Sequence, residues 1–110
     1  MDPAEQAALN QALDSLWTKF LPQLQERVAV LETSAAAFSA NQLSLAGQQE
    51  ANTAAHKLAG VLGTFGLSRG TVLARELEMM YAREGDPDRS LAARLAEIAA
   101  ELRTIVDTRK

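Results

Sequence analysis

The chain has 110 residues, of which 47% are hydrophobic and 5% aromatic, and it contains no cysteine. This length supports one small domain with an aliphatic core. The lack of cysteine excludes disulfides, a thiol nucleophile and cysteine-ligated metals, and it favours a reducing, cytoplasmic location. A net charge of −3 argues against nucleic-acid and anionic-membrane partners, because both attract basic surfaces. We find no apolar window near the roughly 20 residues of a membrane span and no signal-peptide pattern.

The first part of the chain carries helical signals. Asp2 followed by Pro3 predicts a helix start, and Pro22 predicts a break near residues 18–21, because proline lacks an N–H and clashes with the preceding turn. A second helix is expected to follow and to end near residues 39–41. The apolar stripes of these two helices are Leu9, Leu13, Leu16, Trp17 and Phe20, then Leu21, Leu24, Val28, Leu31, Ala35 and Phe38.

Three further helices complete the predicted fold. Ser44 caps a helix to about Thr64, a turn follows at residues 66–70, and the next helix covers about 70–84 with Gly85 as its C-cap. Asp86-Pro87 repeats the start signal before a last helix with the stripe Leu91, Leu95, Ile98, Leu102 and Ile105. Strand signals are absent. The sequence therefore predicts an all-α fold, an antiparallel four-helix bundle with an additional N-terminal helix, in one domain over residues 1–110.

The single histidine, His56, lies on the helix that Ser44 begins. At about 100° per residue, the apolar positions of this helix fall opposite His56. Its own face carries polar or small residues: Gln49, Asn52, Thr53, Ala59, Gly60 and Gly63. An interior helical glycine costs up to about 1 kcal/mol relative to alanine, so two of them beside one histidine indicate a surface kept clear for another molecule.

The segment Ala-His-Lys-Leu-Ala-Gly-Val-Leu-Gly-Thr-Phe-Gly at residues 55–66 resembles the signature of histidine-containing phosphotransfer domains. In that family Ala-His is followed by Leu or Ile at +2, Lys at +3, Gly at +4 and Gly at +10. Leu58, Gly60 and Gly66 match this pattern, whereas Ala59 stands at the lysine position. The pair Leu77-Glu78 falls where the family commonly has Leu-Glu.

The resemblance implies a phosphocarrier rather than an enzyme, a phosphorelay intermediate of two-component signalling. His56 would accept a phosphoryl group from a receiver-domain aspartate or a histidine kinase and pass it to a response-regulator receiver. Glu78 would accept a hydrogen bond from Nδ1 and leave Nε2 as the nucleophile. Lys57 and Arg75 are the candidates to replace the missing lysine. We expect the small residues Ala59, Gly60 and Gly63 to leave steric clearance for a docking partner. We expect that partner to contact Gln49, Asn52, Thr53 and Leu67.

The family resemblance implies no cofactor and no metal on this chain, with Mg²⁺ on the partner receiver domain, and we expect a monomer. Two other functions stay open. The missing lysine also fits a degenerate, unphosphorylated bundle that binds receivers or kinases as a scaffold or inhibitor. The heptad-like spacing from Leu91 to Ile105 also fits a plain dimerisation bundle in which this stripe forms an intermolecular seam.

Overall fold

A computed structural model describes residues 2–82 and 88–110 of the chain. Within these residues it contains helices and no strand. Helix α1 spans Pro3–Ser39, α2 Leu45–Thr64, α3 Ser68–Tyr81 and α4 Ala92–Thr108, and a 3₁₀ turn at Arg89–Leu91 precedes α4. The predicted all-α helical bundle is confirmed. None of the helices in the described ranges is long and apolar enough to cross a membrane.

The break predicted at Pro22 is wrong, because α1 runs through this residue as one helix. The predicted additional N-terminal helix is therefore the first part of α1. Pro22 is exposed, on the side of the helix opposite the buried Leu24 and Val28. The carbonyl of Thr18, which loses its usual partner four residues later, therefore lies on the solvent side, and packing of the buried face offsets the helix-breaking cost of about 3 kcal/mol.

Caps set the observed helix ends. The Asp2 side chain accepts a hydrogen bond from the Glu5 N–H at 2.8 Å, and the Ser44 hydroxyl accepts one from the Gly47 N–H at 3.0 Å. Between α2 and α3, Gly66 has a φ of 72°, which favours glycine. Helix α3 begins at Ser68, two residues before the predicted start. Its predicted end at residues 84–85 and the Asp86-Pro87 signal lie outside the described residues.

The core is formed by one face of every helix. α2 and α3 form one closely packed pair, and α1 packs against both α2 and α4. The predicted stripe of α4 is internal, since Leu95, Ile98, Leu102 and Ile105 are all buried within this one chain. The interpretation of that stripe as an intermolecular seam is therefore wrong.

Helix α1 is much longer than its neighbours, with 37 residues against 20 in α2. Its first residues extend beyond the bundle, and only Trp17 of the predicted N-terminal stripe is fully buried, whereas Leu9 and Leu16 are 44% and 42% exposed. The apolar stripe predicted for this part of the chain is therefore present on one side of α1, but most of its length is not packed against the core.

Candidate functional site

His56 lies in the middle of α2 with its side chain 71% exposed. The residues of α2 that face the core, including Leu58 and Leu62, are fully buried on the other side of the helix. The His56 Nδ1 atom is 2.9 Å from Oε1 of Glu78 on α3. The predicted contact between the two side chains is thus confirmed.

Three side chains of the α2–α3 pair hold Glu78 beside His56. The Asn52 amide donates to the Glu78 carbonyl oxygen at 2.7 Å, and the Gln48 amide donates to the Tyr81 carbonyl at 3.0 Å. The Thr71 hydroxyl donates to the Ala59 carbonyl at 3.3 Å. Because these bonds cross from one helix to the other on both sides of His56, they fix the rotation of α3 that presents Glu78 to the ring.

These bonding roles were not predicted from the sequence. Asn52 was assigned to partner docking, but it is half-buried and its amide is directed to the backbone of α3. The available signal was spacing, since Gln48 and Asn52 lie one turn apart on the flank of α2 next to His56. Spacing alone does not say which flank meets a neighbouring helix.

The contact with Glu78 bears on which ring nitrogen carries the proton. An ionised carboxylate only accepts hydrogen bonds, so the Nδ1 atom that binds it must carry the proton. The neutral imidazole then has its free lone pair on Nε2. A histidine held in this tautomer can act as a nucleophile through Nε2 while the carboxylate stabilises the positive charge that develops on the ring.

The clearance around His56 comes from the glycines and not from Ala59. A Cβ added at Gly60 would meet nothing within 4 Å, and one added at Gly63 would lie 3.5 Å from the Thr71 hydroxyl. Gly60 therefore borders open space, whereas Gly63 also lies beside α3. Ala59 is only 2% exposed and packs in the α2–α3 interface, so its assignment to the open face is wrong.

The two candidate cations lie on opposite flanks of His56. Lys57 lines an open groove between α1 and α2, together with Gln23, Glu26 and Arg27 of α1. Arg75 is exposed on α3, one turn from Glu78 on the side of that helix that borders α2. Arg75 is thus on the same flank of the ring as Glu78, and Lys57 is on the other.

The predicted docking residues do not all share one surface. Gln49 and Thr53 are exposed and line the α1–α2 groove beside Lys57. Leu67 caps α3 at the turn and packs against the core, so it does not belong to the face of His56. Asn52 faces α3, as described above. Of the predicted docking residues, Gln49 and Thr53 are therefore available to a partner, beside Lys57 and the open surface at Gly60.

Comparison with known proteins identifies the family. Residues 15–108 match the family model of the histidine-containing phosphotransfer (Hpt) domain, so the chain belongs to that family. Protein RcaC of Microchaete diplosiphon is 39% identical over 66 residues, an alignment that covers 60% of this chain. The chain spans about a tenth of the length of that relative. No solved structure matches this chain significantly. Hpt domains are helical phosphocarrier modules that act in two-component signalling with receiver domains and kinases.

Proposed function

We propose that His56 is the phosphoacceptor of this Hpt domain. Its Nε2 accepts a phosphoryl group from the phosphoaspartate of a receiver domain, or from a histidine kinase, and passes it to the receiver of a response regulator. The observation that carries this proposal is the 2.9 Å contact of an exposed imidazole with a carboxylate at Nδ1. That contact leaves the other ring nitrogen as the nucleophile.

The transfer step balances with the groups at hand. The Nε2 lone pair forms a bond to phosphorus as the bond from phosphorus to the donor aspartate oxygen breaks, and the aspartate leaves as a carboxylate. The Nδ1 proton remains on the ring, hydrogen-bonded to Glu78, and the ring gains positive charge. Onward transfer reverses these bonds with a second aspartate. Mg²⁺ on the receiver domain neutralises phosphoryl charge, and no cofactor on this chain is proposed.

Arg75 is the better replacement for the missing lysine. It shares the Glu78 side of the ring and makes no ion pair in the described part of the chain, and its long guanidinium side chain suits phosphoryl oxygens. Lys57 faces the groove that Gln49 and Thr53 also line. We therefore propose Arg75 as the phosphate partner and assign Lys57, with Gln49 and Thr53, to contact with the receiver domain.

Phosphoryl transfer to His56 tests the function directly. The wild-type chain and His56→Gln are incubated with phosphoramidate and, separately, with a panel of aspartyl-phosphorylated receiver domains. We expect acid-labile, alkali-stable label in the wild type and none in the variant. Labelling of the wild type by phosphoramidate and by at least one receiver domain supports the phosphocarrier function. Failure of both donors to label the wild type contradicts it.

A second candidate function is a scaffold that binds receivers or kinases without phosphorylation. The observation that favours it is Ala59, buried where the family usually has a lysine. A scaffold would bind a receiver with equal affinity in the wild type and in His56→Gln, and neither protein would take up label.

The two cations are separated by matched alanine variants. Arg75→Ala is expected to slow labelling by phosphoramidate, a donor too small to need a docking surface, whereas Lys57→Ala is not. Lys57→Ala is expected to slow transfer from a receiver only. Equal phosphoramidate rates for wild type and Arg75→Ala would contradict the assignment of Arg75.

A further inference from the structure

Three polar side chains of α2 follow one another at helical spacing and contact the last turn of α3. Gln48, Asn52 and His56 are each four residues apart, so they lie along one side of α2. The amides of Gln48 and Asn52 donate to the Tyr81 and Glu78 carbonyls at 3.0 and 2.7 Å. The His56 ring contacts the Glu78 carboxylate at 2.9 Å. Glu78 is therefore bound twice by α2, at its backbone by Asn52 and at its side chain by His56.

The last turn of α3 is the part of that helix that depends most on donors from outside it. Helix ends fray, because the carbonyls of the last turn lack the N–H groups that a continuing helix would supply. Glu78 lies in this turn, and Tyr81 is the last residue of α3. The Glu78 carbonyl accepts from the Ala82 N–H at 3.0 Å, and Asn52 adds a second donor there, whereas Gln48 supplies a donor to the Tyr81 carbonyl. The two amides of α2 thus cap the turn that carries the carboxylate of the site.

Burial makes this cap selective for one position of α3. Gln48 is only 6% exposed, and Asn52 is half-buried. A buried amide that loses its acceptor is costly, because water does not replace the missing bond. The last turn of α3 is therefore held where both amides reach their carbonyls. An apolar side chain of similar size would fill the same space without selecting that position.

We propose that Gln48 and Asn52 are the positioning residues of the His56–Glu78 pair, and that they set the reactivity of His56 only through Glu78. The inference rests on the proposed function of His56 as phosphoacceptor and adds the residues that control it. With both caps in place the carboxylate stays at Nδ1, and Nε2 keeps its lone pair. Without a cap the last turn of α3 frays, and the carboxylate leaves the ring for part of the time. The ring then also populates the Nε2–H tautomer, in which Nε2 has no lone pair for attack on phosphorus.

¹⁵N NMR of the His56 ring in the unphosphorylated chain tests the positioning. Asn52→Leu and Gln48→Met keep the approximate size of each side chain but remove its donor. At neutral to alkaline pH both variants are expected to show more of the Nε2–H tautomer than the wild type, and Asn52→Gln, which keeps an amide, is expected to recover part of the change.

Arg103→Met is the matched control for this measurement. It removes hydrogen bonds that join α4 to α1, on the other side of the bundle from the α2–α3 pair, and is expected to leave the tautomer ratio unchanged. Circular dichroism confirms folding of each variant. A wild-type ratio in folded Asn52→Leu and Gln48→Met, or an equal change in Arg103→Met, would overturn the proposal.

A double-variant cycle tests the route through Glu78. Asn52→Leu is expected to slow labelling by phosphoramidate about three- to tenfold, less than Glu78→Ala, because the carboxylate is displaced for only part of the time. Asn52→Leu/Glu78→Ala is expected to label at the rate of Glu78→Ala alone, since the cap has no effect once the carboxylate is gone. A double variant slower than Glu78→Ala by the full factor of Asn52→Leu would refute this route. Failure of the wild type to take up label would contradict the proposed function instead, and the NMR comparison would still decide whether the amides position Glu78.

Discussion

At the residue scale, the site depends on one contact between two side chains, His56 of α2 and Glu78 of α3. His56 is placed by the sequence alone, because the apolar positions of α2 leave it on the open face. Its contact with Glu78 depends in addition on the rotation of α3, which Asn52 and Thr71 fix through hydrogen bonds to backbone carbonyls. We propose that Glu78 is the acceptor that holds one tautomer of the ring.

Replacement of Glu78 tests this role. In Glu78→Ala the ring loses its acceptor, so ¹⁵N NMR at neutral to alkaline pH is expected to show more of the Nε2–H tautomer than in the wild type. Labelling by phosphoramidate is expected to fall about 10- to 100-fold, within the range of a general positioning and electrostatic contribution. Glu78→Gln keeps a neutral acceptor oxygen and is expected to restore the tautomer but only part of the rate. An unchanged tautomer ratio in Glu78→Ala would contradict the role.

Two glycines of the α2–α3 pair are expected to respond in opposite ways to alanine. Gly60→Ala places its methyl group in open space and removes a helix-destabilising glycine, so the free energy of unfolding is expected to rise by up to about 1 kcal/mol. The same methyl group is expected to slow transfer from a receiver while leaving phosphoramidate labelling unchanged. Equal receiver rates in wild type and Gly60→Ala would show that this face is not used for docking.

Gly70→Ala is the matched comparison, on α3. Its Cβ would lie 2.8 Å from Leu62 Cδ1 and 3.3 Å from Ile105 Cγ2, both side chains of the core. Overpacking of this kind costs about 1–3 kcal/mol, so urea denaturation is expected to show a less stable protein. A Gly70→Ala variant as stable as the wild type would mean that the core relaxes around the added methyl group.

At the element scale, an arginine from the 3₁₀ turn that precedes α4 binds the C-terminal end of α1. The Arg89 guanidinium donates to the carbonyl oxygens of Phe38 and Ser39 and lies over the Phe38 ring at 5.1 Å from its centroid. The Phe38 carbonyl also accepts a hydrogen bond from the Asn41 N–H at 3.0 Å, so the guanidinium adds a second donor there and supplies one to the Ser39 carbonyl in the last turn of the helix.

Removal of this cap is expected to weaken the bundle. Arg89→Ala should lower the free energy of unfolding by about 1–2 kcal/mol, since it removes two hydrogen bonds and a cation–π contact. Thermal unfolding followed by circular dichroism measures the change. Arg89→Lys keeps the charge but not the two-pronged geometry and is expected to recover only part of the loss.

At the scale of the whole molecule, ion pairs join α3 to α4. Arg94 binds Glu76 at 2.8 Å and Arg69 binds Glu101 at 2.7 Å. The hydrogen bond from Arg94 lowers the pKa of Glu76, and the hydrogen bond from Arg69 lowers the pKa of Glu101. Because the folded state lowers both pKa values, the stabilisation is present above the ordinary glutamate pKa and is lost as the pH falls through the lowered, folded-state values.

A double variant tests this pH dependence. Glu76→Gln/Glu101→Gln is expected to be slightly less stable than the wild type at pH 7, by the small amount that exposed pairs contribute. The difference should disappear in strong acid, at about pH 2, where both carboxylates of the wild type are protonated. Urea denaturation at both pH values measures it. A difference that persists in acid would show that shape, and not charge, causes the loss.

The sequence predicted the ends of α2, the exposed position of the histidine, and the buried stripes of α4 and of α1 between Leu24 and Phe38. Each of these depends on residues within one or two helical turns. It failed at Pro22, where a local signal for a break was overridden by packing along the opposite side of the helix. It also misplaced Ala59 and Leu67, since a helical wheel separates core from surface but does not show which flank a neighbouring helix covers.

The sequence by itself determined the helical content, the exposed histidine and the motif that defines the family, because helix periodicity and short-range spacing are local properties. The tertiary structure alone decided three things: that Glu78 reaches His56, that Lys57 lines the groove between α1 and α2, and that the α4 stripe is internal while Leu9 and Leu16 of α1 are exposed. Each depends on the rotation and level of one helix against another, which packing of the whole chain sets.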